Sequence, residues 1–252
     1  MFDQTVRFVG DKVAAVAADT EEIARKALSL ISVEYEELPF YLDPEEAMKE
    51  DAYPIHQGGN IIMESNNSGG DVDGAIRDAD HVFRHRYEMP AVNHCSLETH
   101  VSIAEYDADG KLTVWTPTQD AFGQRINLQR IFELPMSKIR VISPVMGGGF
   151  GGKEDMSVQH HAALMAWATG RPVKVKFSRQ ESLNIHTKRH AMEMDVTTAC
   201  DENGKLLAMK ATLISDCGAY ASLGGPVLQR ACTHCGGPTI ASSQEKKAAA
   251  SS

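Results

Sequence analysis

No run of apolar residues in this chain is long enough to span a bilayer, and Met1–Val13 is polar and charged, without the apolar centre of a signal peptide. Positive charge is in deficit too. The chain has 25 lysines and arginines against 34 aspartates and glutamates, a formal net charge of −9, which argues against a general nucleic-acid binder. Its five cysteines are an odd number without regular spacing, which points to free thiols and a reducing compartment. Cys232, His234 and Cys235 lie close together, but a structural zinc site needs a further ligand pair that the sequence does not supply. No Gly-x-Ser-x-Gly or His-Glu-x-x-His occurs, so hydrolysis by an activated nucleophile has no support. What remains, 42% hydrophobic and 23% charged over 252 residues, is the composition of a soluble globular protein, with the cytoplasm as its default location.

Glycine, by contrast, is concentrated. Met146-Gly147-Gly148-Gly149-Phe150-Gly151-Gly152-Lys153-Glu154 holds five glycines around one aromatic. Glycine gives up more chain freedom on ordering than any other residue, so an ordered run of this kind needs a reason. Ile139–Ser143 reads as a strand entering the loop and Asp155–Thr169 as a helix leaving it. Such a strand, loop and helix start can aim backbone N–H groups at an anion. The loop is not a P-loop, because no Ser or Thr follows Lys153, and it lacks the dinucleotide spacing. From the residues alone, a structural turn and a cofactor cradle remain equally open.

Along the chain, residues 5–18 suggest a hairpin, Thr20 caps a helix starting at Glu21, and Ile31–Tyr35 returns as a strand. Residues 40–70 read as a connector, with a short helix at Pro44 and an irregular crossing from Tyr53 to Gly70. A helix is expected from Asp71, strands at His81–Met89, Val101–Tyr106 and Leu112–Thr116, and a helix over Ala121–Phe132. Strands follow at Val173–Phe177, Met192–Thr198 and Leu206–Ile214. Cys217–Pro226 reads as irregular. The fold class is α+β, with a boundary near residue 50. Residues 1–50 form one domain, 51–240 a second, and 241–252 a disordered tail of foreign character, since no core-forming pattern occurs there.

Three side chains outside the glycines carry candidate chemistry. Gln119, between a strand and a helix, offers an amide that bonds a metal-bound oxygen without changing charge. Glu154 closes the loop, where the dipole at a helix start favours a carboxylate. Arg230 is a cation able to stabilise developing negative charge. Each also has an ordinary reading, as a helix-start polar group, a dipole partner and a surface arginine.

Together, Thr118-Gln119, Val145–Glu154, Asp216-Cys217-Gly218-Ala219-Tyr220 and Gln229-Arg230-Ala231 resemble, in order and spacing, the molybdenum-binding subunit of the xanthine dehydrogenase/aldehyde oxidase family. The resemblance runs over about residues 5–240. It implies the end of an α/β hammerhead-like domain followed by the first part of a molybdopterin-binding domain. Gln119 then matches the glutamine bonded to a molybdenum oxo ligand. Gly149, Phe150 and Gly151 match the loop that contacts the cofactor, and Glu154 and Arg230 match the pair that orients a purine. The implied reaction is hydroxylation of a purine-type heterocycle such as hypoxanthine or xanthine, with water as oxygen source; an aldehyde is the other substrate class. The implied cofactor is molybdenum–molybdopterin or its cytosine dinucleotide form. Iron–sulfur and FAD centres would reside in partner subunits or domains of a hetero-oligomer, with no nucleic acid or membrane partner. The family's second cofactor-binding half and its general-base glutamate have no match in this sequence. An internal fragment without turnover of its own is therefore expected; the alternative is a catalytically inactive folding or subunit-interaction module.

Overall fold

The computed structural model describes residues 3–237, 241 and 243–251. In chain order the elements begin with helices α1 (Glu21–Leu28) and α2 (Pro44–Ala47), strand β1 (Ile61–Gly69), helix α3 (Val72–Arg77) and strands β2 (His81–Met89), β3 (Val101–Tyr106) and β4 (Leu112–Trp115). Next come α4 (Ala121–Phe132), β5 (Ile139–Ile142), α5 (Gln159–Thr169), β6 (Val173–Lys176) and α6 (Arg179–Ile185). The last four are β7 (Ala191–Cys200), β8 (Leu206–Asp216), α7 (Gly224–His234) and β9 (Ser243–Ser251).

These elements form two compact units, each discontinuous in sequence. One holds residues 1–36 and 93–188, the other 37–92 and 189–252. The linear reading, with one boundary near residue 50, has no means of seeing a chain that leaves a unit and later returns to it.

The first unit is built on a four-stranded sheet of order β5-β4-β3-β6. Asp109-Gly110 closes the β3–β4 hairpin, with Gly110 at φ +72° and its N–H donated to Asp107 O at 3.0 Å. β4 and β5 run parallel, in register from Leu112 opposite Ile139 to Trp115 opposite Ile142. Parallel neighbours need a crossover, and α4 supplies it. One sheet face is apolar: Ala104, Leu112, Val114 and Ile139 pack with Leu128 and Phe132 of α4 and Ala162, Ala163 and Ala166 of α5. The topology brings the Pro117–Asp120 turn after β4 and the glycine loop after β5 to the carboxyl ends of adjacent parallel strands, where open α/β sheets bind ligands.

The second unit is a five-stranded sheet of order β1-β9-β8-β7-β2. Its long β7–β8 hairpin turns through Asp201–Lys205, with Gly204 at φ +80°. Helix α7 packs Leu228 and Cys232 against Leu213, Ala248 and Ala250. Among the described residues no helix is long and apolar enough to cross a membrane.

Several expectations need correction. Residues 5–18 and 31–35 form no strand. Their period-two pattern marks an apolar face but does not supply a pairing partner. Conversely, Ile61–Gly69, irregular by its Asn, Ser and Gly content, is strand β1, held by its ladder to β9. The tail expected to be disordered forms β9 over Ser243–Ser251, antiparallel to β1 and parallel to β8. It has no large apolar residue. Backbone pairing on both edges holds it, and the small Ala248 and Ala250 leave room for α7. Gly224-Gly225-Pro226, expected to be irregular, opens α7, because proline is tolerated in a first helical turn.

Candidate functional site

The glycine loop is ordered by polar bonds. Gly148 and Gly151 take φ of +93° and +90°, and between them Phe150 takes +54°, a left-handed conformation costly for a residue with a Cβ. Gly152 donates to Gly149 O at 2.8 Å and Glu154 to Gly151 O at 3.3 Å, giving two overlapping turns. The backbone N–H groups of Gly148, Gly149 and Phe150, in sequence between the bonded amides of Gly147 and Gly151, make no hydrogen bond to any described residue. Three consecutive backbone donors without a protein acceptor among the described residues are available to an anion.

Gln119 closes the cradle from the neighbouring strand end. Its Oε1 accepts the Gly151 N–H at 3.0 Å and the Lys153 N–H at 3.2 Å, and its own N–H donates to Lys153 O at 3.0 Å. Two donors on one oxygen fix which way the amide is turned, so Nε2 is left as an exposed donor without a protein acceptor among the described residues. Thr118 adds a hydroxyl bond to Lys153 O at 3.1 Å. Asp120 then caps α4 by accepting the Gly123 N–H at 2.8 Å. A Cβ on Gly149 would lie 2.5 Å from Gln119 Oε1, so the loop can approach Gln119 this closely only through glycine.

Lys153, which the sequence offers only as a failed P-loop lysine, is the hub of this network. Its side chain is 1% exposed, and its ammonium donates to Glu98 Oε2 at 2.6 Å. The same Glu98 oxygen accepts the Gly147 N–H at 2.9 Å, and the Glu98 N–H donates to Gly147 O at 3.2 Å. Burial raises the Glu98 pKa, but the Lys153 and Gly147 bonds and the nearby Lys153 charge outweigh it and leave it below the ordinary carboxylate value. No sequence motif marks Glu98; its only signal is an acidic residue in the loop before β3.

Two imidazoles, His94 and His100, lie against the loop, and a third, His186, stacks behind them. His100 donates through Nε2 to Gly152 O at 2.8 Å, and its ring centroid lies 4.8 Å from that of His186, which stands 5.5 Å from His94. Burial depresses all three, His186 to about 4, so they are neutral near pH 7. Among the described residues no three His, Cys, Asp or Glu side chains are placed to hold a metal ion, and Cys232, Cys235 and His234 form no such group.

Of the predicted residues, Gln119, Gly149, Phe150 and Gly151 are brought together. Glu154 lies in the same loop, exposed, without a side-chain partner among the described residues. It does not sit at a helix start as expected. α5 begins at Gln159, whose own Oε1 accepts the Ser157 and Val158 amides and so ends the loop. Arg230 is exposed on α7 in the second unit, with no ion pair among the described residues.

The parallel-strand carboxyl ends, the free amides and the outward Gln119 amide place several hydrogen-bond donors together, a set chemically suited to an oxygen-rich anion. Residues 55–239 match the molybdopterin cofactor-binding domain, and residues 1–39 match the a/b hammerhead domain of aldehyde oxidase and xanthine dehydrogenase. The chain belongs to the molybdopterin cofactor-binding domain family of the xanthine dehydrogenase/aldehyde oxidase group.

It is 44% identical over 236 residues to a probable xanthine dehydrogenase subunit of Bacillus subtilis, covering 94% of this chain and 32% of that one. It is 40% identical over 240 residues to the nicotinate dehydrogenase large molybdopterin subunit of Eubacterium barkeri, covering 95% and 56%. The aldehyde oxidoreductase of Desulfovibrio gigas superposes with a TM-score of 0.86 at 28% identity, over 93% of this chain and 26% of that one. The chain thus spans about a third of the length of the first of these relatives and just over half of the second.

The residues present fit the family's cofactor. Free backbone donors suit its oxygens and phosphate, Gly149 clears the space beside Gln119, and the Gln119 amide is turned to donate.

Proposed function

We propose that this chain forms one wall of the molybdopterin site of a molybdenum hydroxylase. The observation that carries this is the run of unpaired N–H groups at Gly148, Gly149 and Phe150 beside the oriented Gln119 amide. When bound, the cofactor supplies two-electron hydroxylation chemistry with water as the oxygen source. The chain's own part is to bind and to orient. The loop amides would hold cofactor oxygens, and the outward Gln119 Nε2 would donate to an oxygen of the bound group. Phe150, 75% exposed on a strained backbone, offers its ring as an apolar surface beside the free amides.

For the substrate we propose a purine-type heterocycle, on the resemblance by which Glu154 and Arg230 match a purine-orienting pair; each is exposed in its own unit and bonded to no other described side chain. The relatives support the reaction class more than the substrate, since their names include xanthine, nicotinate and aldehyde enzymes. Iron–sulfur and flavin partners in a cytoplasmic hetero-oligomer complete the proposal. The test is kinetic, in the assembled enzyme with its partner subunits. Glu154→Ala and Arg230→Ala should each lower kcat/KM for hypoxanthine at least tenfold while sparing benzaldehyde. Equal losses on both substrates would contradict the purine assignment.

A further inference from the structure

We infer that Glu98 and Lys153 are positioning residues of the cofactor site: their ion pair clamps the glycine loop and thereby sets the direction of its free amides and of the Gln119 amide. The inference rests on the proposed function for what the clamp serves, but its geometry stands apart from it.

A fully buried lysine is rare unless paired, and a buried ammonium is costly without compensation. Here the loop offers little apolar burial against that cost: Phe150 is exposed and Met146 only half-buried. The ammonium is instead answered by Glu98 at 2.6 Å, and Glu98 spends its remaining bonding on the loop's entrance, through both the N–H and the C=O of Gly147. At the loop's exit the backbone of Lys153 grips Gln119, by N–H to Oε1 and by C=O to the Gln119 N–H. One residue pair therefore ties Gly147 to Gln119 across the stretch that carries the free donors. His100 braces the same segment through Gly152 O. On its outer side Glu98 borders an open cleft lined by Leu97, Lys174, Lys176 and Arg179, so the carboxylate keeps contact with solvent while Lys153 does not. The pair is directional: it reaches the cofactor loop from β3's leading segment, and it adds no bond to the sheet itself.

The test uses amide NMR on the wild-type chain, Glu98→Gln and Lys153→Met, without cofactor. Hydrogen exchange at Gly147, Gly151 and Lys153 is expected to rise at least tenfold in both variants, with amides of β3 and α5 as protected as in the wild type. The Gly147 amide shift should titrate with Glu98, at a midpoint below the ordinary carboxylate value, and that midpoint should rise in Lys153→Met, where burial is no longer opposed by the ammonium. If Lys153→Met loses protection throughout, Glu98→Gln, altered at a partly exposed position, decides the exchange result. Wild-type exchange at the loop in Glu98→Gln, or an unmoved Gly147 midpoint in a folded Lys153→Met, overturns the clamp. Neither readout involves the cofactor, so a chain that keeps the clamp yet ignores molybdopterin counts against the proposed function alone.

Discussion

The glycine loop of the first unit and helix α7 of the second hold their candidate residues in opposite ways. α7 carries Arg230 on a helix whose inner face, Leu228 and Cys232, is wholly buried against β8 and β9. The loop buries almost nothing apolar. It is fixed by a chain of polar bonds from Glu98 through Lys153 to Gln119, with a lysine where a core residue would ordinarily be. Apolar burial tolerates some misfit but says little about direction, whereas hydrogen bonds specify direction and fail when one partner is lost. A wall that must aim several backbone donors uses the second method; a helix that only has to present a side chain uses the first.

That contrast gives the two units different sensitivities. The largest expected difference is toward acid. In the first unit burial depresses His94, His100, His186, His160 and His161, the last three to about 4, 3 and 4. Unfolding releases each to an ordinary value near 6.5, so the unfolded chain binds more protons between those limits and stability falls as the pH drops through them. In the second unit His190 is the histidine that burial depresses. Exchange followed from pH 7 to pH 4 should show β3–β5 losing protection before β7–β8; simultaneous loss would erase the contrast.

Next in size is Leu228→Ala, which removes a fully buried side chain from the α7 core. A cost of about 2–5 kcal/mol in denaturant unfolding is expected, with loop amide shifts at Gly147–Lys153 unchanged. Gly149→Ala should do the reverse. Its Cβ would meet Gln119 Oε1 at 2.5 Å, so about 1–3 kcal/mol is expected, together with displaced Gly151 and Lys153 amide signals and an unaltered second unit. The smallest effect belongs to Phe150→Gly. Relief of the left-handed conformation and the added chain freedom of glycine offset each other, leaving stability within about 1 kcal/mol of wild type. A larger loss would mean that the ring packs against the loop more than its exposure indicates.

Much of this is legible in the sequence. The strand and glycine loop order, the β3–β4 strand pair and the helices opening after Thr20 and at Pro44 follow from local chemistry that tertiary packing does not override. Gln119, between a strand and a helix, reads equally as an ordinary helix-start polar group, and only the resemblance of the motifs around it singles it out. What stays hidden depends on partners distant in sequence. β9 is poor in apolar residues and becomes a strand only because β1 and β8 flank it. Glu98 meets Lys153 from 55 residues away, and neither signals the other. Glu154 looks like a helix start only if the loop ends where its glycines end, whereas the helix begins at Gln159, whose side chain holds the two amides before it.

The central claim is that the free amides of the glycine loop receive the molybdopterin cofactor. The most direct measurement is titration of the 15N-labelled chain with purified molybdopterin cofactor, following the Gly148, Gly149 and Phe150 amides. Saturable shifts at these amides, absent from the β9 amides and weakened in Gln119→Ala, are the predicted result. Amides at 148–150 that stay unmoved through the titration while the loop remains folded would contradict it.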